Sequence, residues 1–129
     1  MKQVLLDTHT WAWSFAAESE LSKAAVEAIA AADAVFVSPI SFYEIGQKVR
    51  MGKWPEMNDM VDRLPDLLKE QGGLPASFTP EICLHASLRE WTHRDPFDRF
   101  LASSSELLNM PLISKDIVFD TLPAVQRVW

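Results

Sequence analysis

The chain has a single cysteine, Cys83, in 129 residues. That excludes an internal disulfide and a cysteine cage for zinc. A lone cysteine suits a reducing compartment and reads as a small buried hydrophobe. Glycine is nearly as scarce, with four residues, two of them adjacent at Gly72-Gly73. No glycine-rich loop is left to cradle a phosphate. No serine has the G-x-S-x-G setting of an activated nucleophile. No apolar run approaches the roughly 18 residues of a membrane span. The opening Met-Lys-Gln-Val-Leu-Leu-Asp carries one base and a short apolar run before an acid, unlike a secretory signal. The cytoplasm is the expected location, with no membrane partner.

Bases are also in deficit, 12 against 18 acids, for a net charge of −6. A nucleic-acid partner normally wants a basic surface. The argument weakens if the acids converge on a metal, because four carboxylates gathered in one site would leave the remaining surface close to neutral. Where the acids lie matters more than their sum. Otherwise the composition is that of an ordinary globular protein, 48% apolar and 23% charged. The length excludes a (β/α)8 barrel, which needs roughly 250 residues. It suits one domain over residues 1–129, burying about two-thirds of its unfolded surface.

Short apolar runs alternate with helical patterns, without repeat or linker. Val4-Leu5-Leu6 is a strand that ends at Asp7. Ser22 can cap a helix through Ala24, Ala25, Val26, Ala28 and Ile29, closed near Asp33. Ala34–Val37 is a second strand. Ser41 opens a helix through Ile45 and Val49, ended by Gly52. Residues 56–71 put Met57, Met60, Val61, Leu64, Leu67 and Leu68 on one helical face, with Pro65 expected to kink or split it. Leu74–Phe78 is a weaker strand. Thr79-Pro80 and Asp95-Pro96 each combine a cap with proline at the first helical position. Asn109-Met110-Pro111 stops the second of these helices. Leu112-Ile113 and Val125–Val128 close the chain as strands. Such alternation indicates a parallel sheet with helices on both faces, whose ligands bind beyond the carboxyl ends of the strands.

Four acids are set for that edge. Asp7 follows the first strand directly, and Asp116 lies just beyond Leu112-Ile113. Glu44 is expected in the first turn after Ser41, and Asp98 in the first turn after Asp95. Helix N-termini favour negative charge there. A loose ring of carboxylates is what Mg2+ or Mn2+ wants. Each acid also has a local explanation. Ser41-x-x-Glu44 reads as a capping box, Asp95 as a cap, Asp7 as a turn residue and Asp116 as an Asx-turn. Asp7 is the hardest to explain locally, because an acid closing an apolar strand is costly without a partner. His9, His85 and His93 read more readily as structural than as ligands. Lys48, Arg50 and Lys53 with Trp54, and Arg89, Arg94 and Arg99, read either as phosphate contacts beside a stacking surface or as solvated helix faces with pairs such as Glu44–Lys48. Trp11 and Trp13 read as core or interface aromatics.

Taken together, these residues resemble the PIN-domain family, in particular the VapC-type toxins of bacterial toxin–antitoxin pairs. Leu5-Leu6-Asp7-Thr8-His9-Thr10-Trp11 is similar to the family's opening motif. Ile40-Ser41-Phe42-Tyr43-Glu44-Ile45 with Lys48-Val49-Arg50-Met51-Gly52-Lys53 is similar to the second. His93-Arg94-Asp95-Pro96-Phe97-Asp98-Arg99 with Leu101-Ala102 is similar to the third, and Leu112-Ile113-Ser114-Lys115-Asp116 to the fourth. Ser114 stands where many relatives carry threonine and keeps the hydroxyl. The resemblance implies a three-layer α/β/α sandwich around a mostly parallel five-stranded sheet. It implies a Mg2+- or Mn2+-dependent endoribonuclease with catalytic acids Asp7, Glu44, Asp98 and Asp116. Asp7, Asp98 and Asp116 would hold the metal, and Asp95 would cap. Thr8, Ser114, Lys48 and Arg99 would contact substrate or water. It implies an RNA substrate, an antitoxin partner and a homodimer. A non-catalytic PIN-like module that binds RNA or protein is the alternative. A phosphoacceptor domain fits less well, since it expects paired acids after the first strand and only Asp7 is present.

Overall fold

In the computed structural model, which describes residues 2–129, five strands form one sheet. They are β1 (Gln3–Leu6), β2 (Ala34–Val37), β3 (Leu74–Pro75), β4 (Leu112–Ile113) and β5 (Arg127–Val128). Six helices accompany them: α1 (Thr8–Ala16), α2 (Lys23–Ala31), α3 (Pro39–Arg50), α4 (Leu64–Glu70), α5 (Pro80–Leu88) and α6 (Pro96–Leu108).

The strand order is β3-β2-β1-β4-β5 and every neighbouring pair is parallel. β1 is central, with Leu5 opposite Phe36 on one side and Leu112 on the other. The chain steps outward through β2 and β3, then crosses back to lay β4 and β5 on the far side of β1. The reversal opens a crevice between the carboxyl ends of β1 and β4, where open α/β sheets bind ligands.

Successive strand residues face opposite sides of a sheet, and β1 feeds two cores. Val4 and Leu6 pack with Trp11, Ala25, Val37, Ile45, Leu64 and Ile113 on the face covered by α1 to α4. Leu5 packs with Leu101, Ala102, Leu112 and Phe119 on the face covered by α6. The result is a helix–sheet–helix sandwich.

The helix ends follow the chemistry of their residues. Thr79 and Asp95 cap α5 and α6, each followed by proline in the first turn. Asn109 ends α6 in the left-handed conformation, at φ 55°. Gly52, at φ 70°, follows α3 where a side chain would be strained.

Five sequence expectations change. Residues 8–16 form α1, which the apolar pattern did not suggest, because Thr, Trp and Ala there show no polar face to set a period. α3 begins three residues earlier than Ser41 suggested. Ser38 is its cap and Pro39 its first residue. Ser41-x-x-Glu44 is therefore no capping box, and Glu44 sits in the second turn. The 56–71 stretch is broken into short 3-10 turns at Pro55–Met57 and Val61–Arg63 followed by α4, with Pro65 in the first turn of that helix. Of Leu74–Phe78 only Leu74 and Pro75 pair, on the sheet edge, where a proline does least harm. The last strand is likewise reduced to Arg127 and Val128.

Candidate active site

Three acids reach the carboxyl edge of the sheet as caps. Asp7 ends β1 and caps α1, its Oδ1 accepting from the Thr8 amide at 2.6 Å. Asp95 caps α6 by accepting from the amides of Phe97 and Asp98. Asp116 follows β4 and caps a 3-10 turn, Ile117–Thr121, accepting from the Val118 amide at 3.0 Å. Capping and lining a site are therefore not alternatives in this molecule. An aspartate cap spends one oxygen on the backbone and leaves lone pairs free. Each of these three has its free side toward one hollow, because each caps an element that starts at the same edge.

Asp98, from the first turn of α6, and Glu44, from the second turn of α3, complete the hollow. It is a pocket of about 290 Å³ lined by Asp7, Glu44, Asp95, Asp98 and Asp116, with His9, Thr10, Trp13, Lys48 and Lys115. Few cations answer these acids. Lys48 Nζ lies 2.6 Å from Glu44 Oε2, and His93 Nε2 lies 2.7 Å from Asp98 Oδ2. The Ser114 hydroxyl, itself buried, donates to Asp7 Oδ2 at 2.6 Å.

The electrostatic consequence is large. Burial pushes the Asp7 carboxyl up to about 7; the Ser114 bond opposes this, and the charges of Asp98 and Glu44 add to it. Burial likewise raises Asp98 to about 6, against the His93 bond and with help from Asp95 and Asp116. Like charges held at one place with little compensation are what a bound cation relieves. The tightest donor set among the described residues is His93, Asp95 and Asp98, which can offer one ligand atom each within 4.8 Å of one another.

A family model for the PIN domain matches residues 4–125. The chain belongs to the PIN-domain family. Its fold is similar to that of VapBC2 from Rickettsia felis, solved bound to a DNA fragment from its promoter. The match has a TM-score of 0.63 and 16% identity, and it covers 97% of this chain and 96% of that one. No curated protein matches the sequence.

The four acids assigned from sequence thus line one pocket of this PIN domain. So does Lys48. The other contact assignments are placed differently. Thr8 is buried, and its hydroxyl meets Ser41 Oγ at 2.8 Å in the seam between α1 and α3. Ser114 reaches the pocket only through Asp7. Arg99 does not line it at all. Its guanidinium is turned to backbone carbonyls: Arg89 nearest, Ala86 at 2.9 Å, Trp91 and His93 at 3.0 Å each, and Ser87 at 3.5 Å. It ties the last turn of α5 and the 89–93 segment to α6 and thereby holds the histidine that meets Asp98.

Sequence reasoning undervalued His93, and it favoured capping over a direct role for Asp95. The signal was present, since both lie within five residues of Asp98. It likewise ranked His9 as structural and read Trp13 as a core or interface aromatic, whereas both line the pocket. They are four apart, and recognising α1 as a helix would have put them on one face.

Proposed function

We propose that this PIN domain is a metal-dependent endoribonuclease that hydrolyses RNA phosphodiester bonds, acting as the toxin of a toxin–antitoxin pair. One observation carries the reading: Asp7, Glu44, Asp98 and Asp116 converge, with little compensating charge, on the crevice where the strand order reverses. An all-oxygen donor set of this charge fits Mg2+ or Mn2+ and not a soft metal. Asp7, Asp98 and Asp116 would hold the ion, with Asp95 and His93 beside Asp98. Such an ion supplies a water of lowered pKa and neutralises charge on the phosphate when bound.

The chain's own residues do the rest. Ser114 and the Thr8 amide engage both oxygens of Asp7 and so fix the carboxylate plane toward the pocket. His93 does the same for one oxygen of Asp98. Glu44 orients the attacking water from α3, and Lys48, four residues on, holds Glu44 in place and faces the phosphate. The fold likeness to VapBC2 supports an antitoxin partner that covers the site. A homodimer and a cytoplasmic setting complete the reading. No helix among the described residues is long and apolar enough to cross a membrane.

The test runs wild type and Asp7→Asn side by side on structured and unstructured RNA with Mg2+, Mn2+ or EDTA. Cleavage by wild type only, abolished by EDTA, is the expected outcome. Metal titration by calorimetry on the same samples covers the case in which the right RNA is missing. No cleavage and no metal uptake by wild type would leave a non-catalytic binding module in its place.

A further inference from the structure

Beside the acidic pocket runs a row of aromatic rings that the hydrolytic reading does not use. His9 stacks on Trp54 with centroids 4.5 Å apart and planes 24° apart. Trp13 leans on His9 at 5.7 Å, and Trp129 leans on Trp13 at 5.9 Å. The three tryptophans are only partly buried and His9 is exposed. Isolated surface aromatics are ordinary, but four in contact form a patch that calls for an occupant. Two lysines are set against the row, Lys48 at 5.5 Å from the Trp54 ring and Lys115 at 5.9 Å from the Trp13 ring.

The row separates two hollows. His9 and Trp13 line the acidic pocket. Trp13 and Trp54 also line a second hollow of about 260 Å³, together with the buried Ala12 and Met57, with Ala16 and Ala17, and with the exposed Glu20 and Glu56. The two acids repel phosphate. They accept hydrogen bonds from the N–H edge of a base, and the three alanines leave room for a flat ring. Lys48 and Lys115 stand toward the pocket side, where the backbone would run.

We infer that the second hollow, walled by Trp13 and Trp54, is a nucleobase subsite that stacks an unpaired base of the RNA beside the acidic pocket. The inference rests on the nuclease reading for its substrate class, and it makes single-stranded or looped RNA the preferred form. Bases in a duplex are already stacked on one another and cannot enter, whereas unpaired bases stack freely on aromatic side chains. The subsite selects by ring stacking and by the donor edge facing Glu20 and Glu56. It therefore favours bases with an amino group over uracil.

The test uses the full chain in an Asp7→Asn background, which the nuclease reading makes inactive, so that binding is measured without cleavage. The probes are a single-stranded adenine oligoribonucleotide and an abasic chain of the same length. The adenine oligomer should quench tryptophan fluorescence and bind about ten-fold or more tighter than the abasic one. Trp54→Ala should remove that difference and Trp54→Phe should keep most of it, with thermal melting confirming that both variants fold. Equal binding of the two probes, no binding of either, or an unchanged difference in both Trp54→Ala and Trp13→Ala would overturn the subsite; the last would leave the row as a protein-contact surface. Failure of the nuclease reading shows separately, as wild type that stacks the adenine oligomer and cleaves no RNA under Mg2+.

Discussion

The molecule gathers charge in two places and treats it in opposite ways. In the seam between α5 and α6 the charges are matched. Arg89 Nη2 lies 2.6 Å from Glu106 Oε1, His85 shares a 2.8 Å bond with Ser103, and Arg99 is enclosed by carbonyls. Among the described residues, the buried side-chain polar atoms without a partner are Arg89 Nε and Ser104 Oγ. At the carboxyl edge of the sheet, five acids face one pocket and two of them have their acidity suppressed. The seam shows charge paired within the protein itself. The pocket shows charge held against stability, which natural proteins tolerate at sites that bind something.

The sharpest way to break this comparison is to neutralise the pocket. Asp7→Asn should lower metal-dependent cleavage by about 10²–10³-fold, the scale on which a preorganised electrostatic group contributes, while leaving the melting temperature at neutral pH unchanged or higher. Loss of activity together with a large loss of stability would mean that Asp7 is structural first. Next in size is the opposite manipulation. Arg99→Ala should cost about 3–5 kcal/mol, because it strips charge-assisted donors from several carbonyls at once. Chemical denaturation reads this directly. Arg99→Lys should recover only part of it, since one ammonium cannot reproduce the planar fork. A mild effect in both variants would show that the 89–93 segment holds itself.

Much of this contrast was legible in the sequence, and the failures have physical causes. The strands β1, β2 and β4 were plain because they are short, uninterrupted apolar runs inside the sheet. The caps Thr79 and Asp95 were plain because proline follows each. α1 was not, because its tryptophans and threonines bury in several directions and blur the helical period. The start of α3 was misplaced because two serines, Ser38 and Ser41, compete for the cap, and Pro39 decides in favour of the first. The acids could be grouped from their positions at strand and helix ends. The role of Arg99 could not, since nothing local distinguishes a guanidinium facing phosphate from one facing carbonyls fewer than fifteen residues away.

A third prediction follows from the suppressed acidity. For Asp7 and Asp98 the folded state holds the proton more tightly than the unfolded chain does. Between the ordinary value of 3.8 and about 7 for Asp7, or about 6 for Asp98, the native state binds more protons. The stability these groups contribute is therefore complete below pH 4 and is lost as pH rises through that window. Melting curves of wild type should fall relative to Asp7→Asn and Asp98→Asn from pH 4 to pH 7, by about 3–8 °C at the upper end. Saturating Mg2+ should return most of the difference to wild type and little to Asp7→Asn. Parallel pH profiles in wild type and both variants would mean that the pocket is more open to water than its burial implies.

The smallest effect separates the two roles of Asp95. As a cap it satisfies the amides of Phe97 and Asp98, and as a pocket residue it adds charge beside Asp98. Asp95→Asn keeps the cap and removes the charge, whereas Asp95→Ala removes both. Asparagine caps about as well as aspartate, and alanine costs roughly 1 kcal/mol. Denaturation midpoints should then fall for Ala and hold for Asn, while calorimetric metal affinity should weaken to the same degree in both. Unequal weakening, with Asn close to wild type, would show that the metal depends on the cap's geometry and not on the charge. Asp95 would then belong with Arg99, among the residues that hold the loop and the helix start in place for others to use.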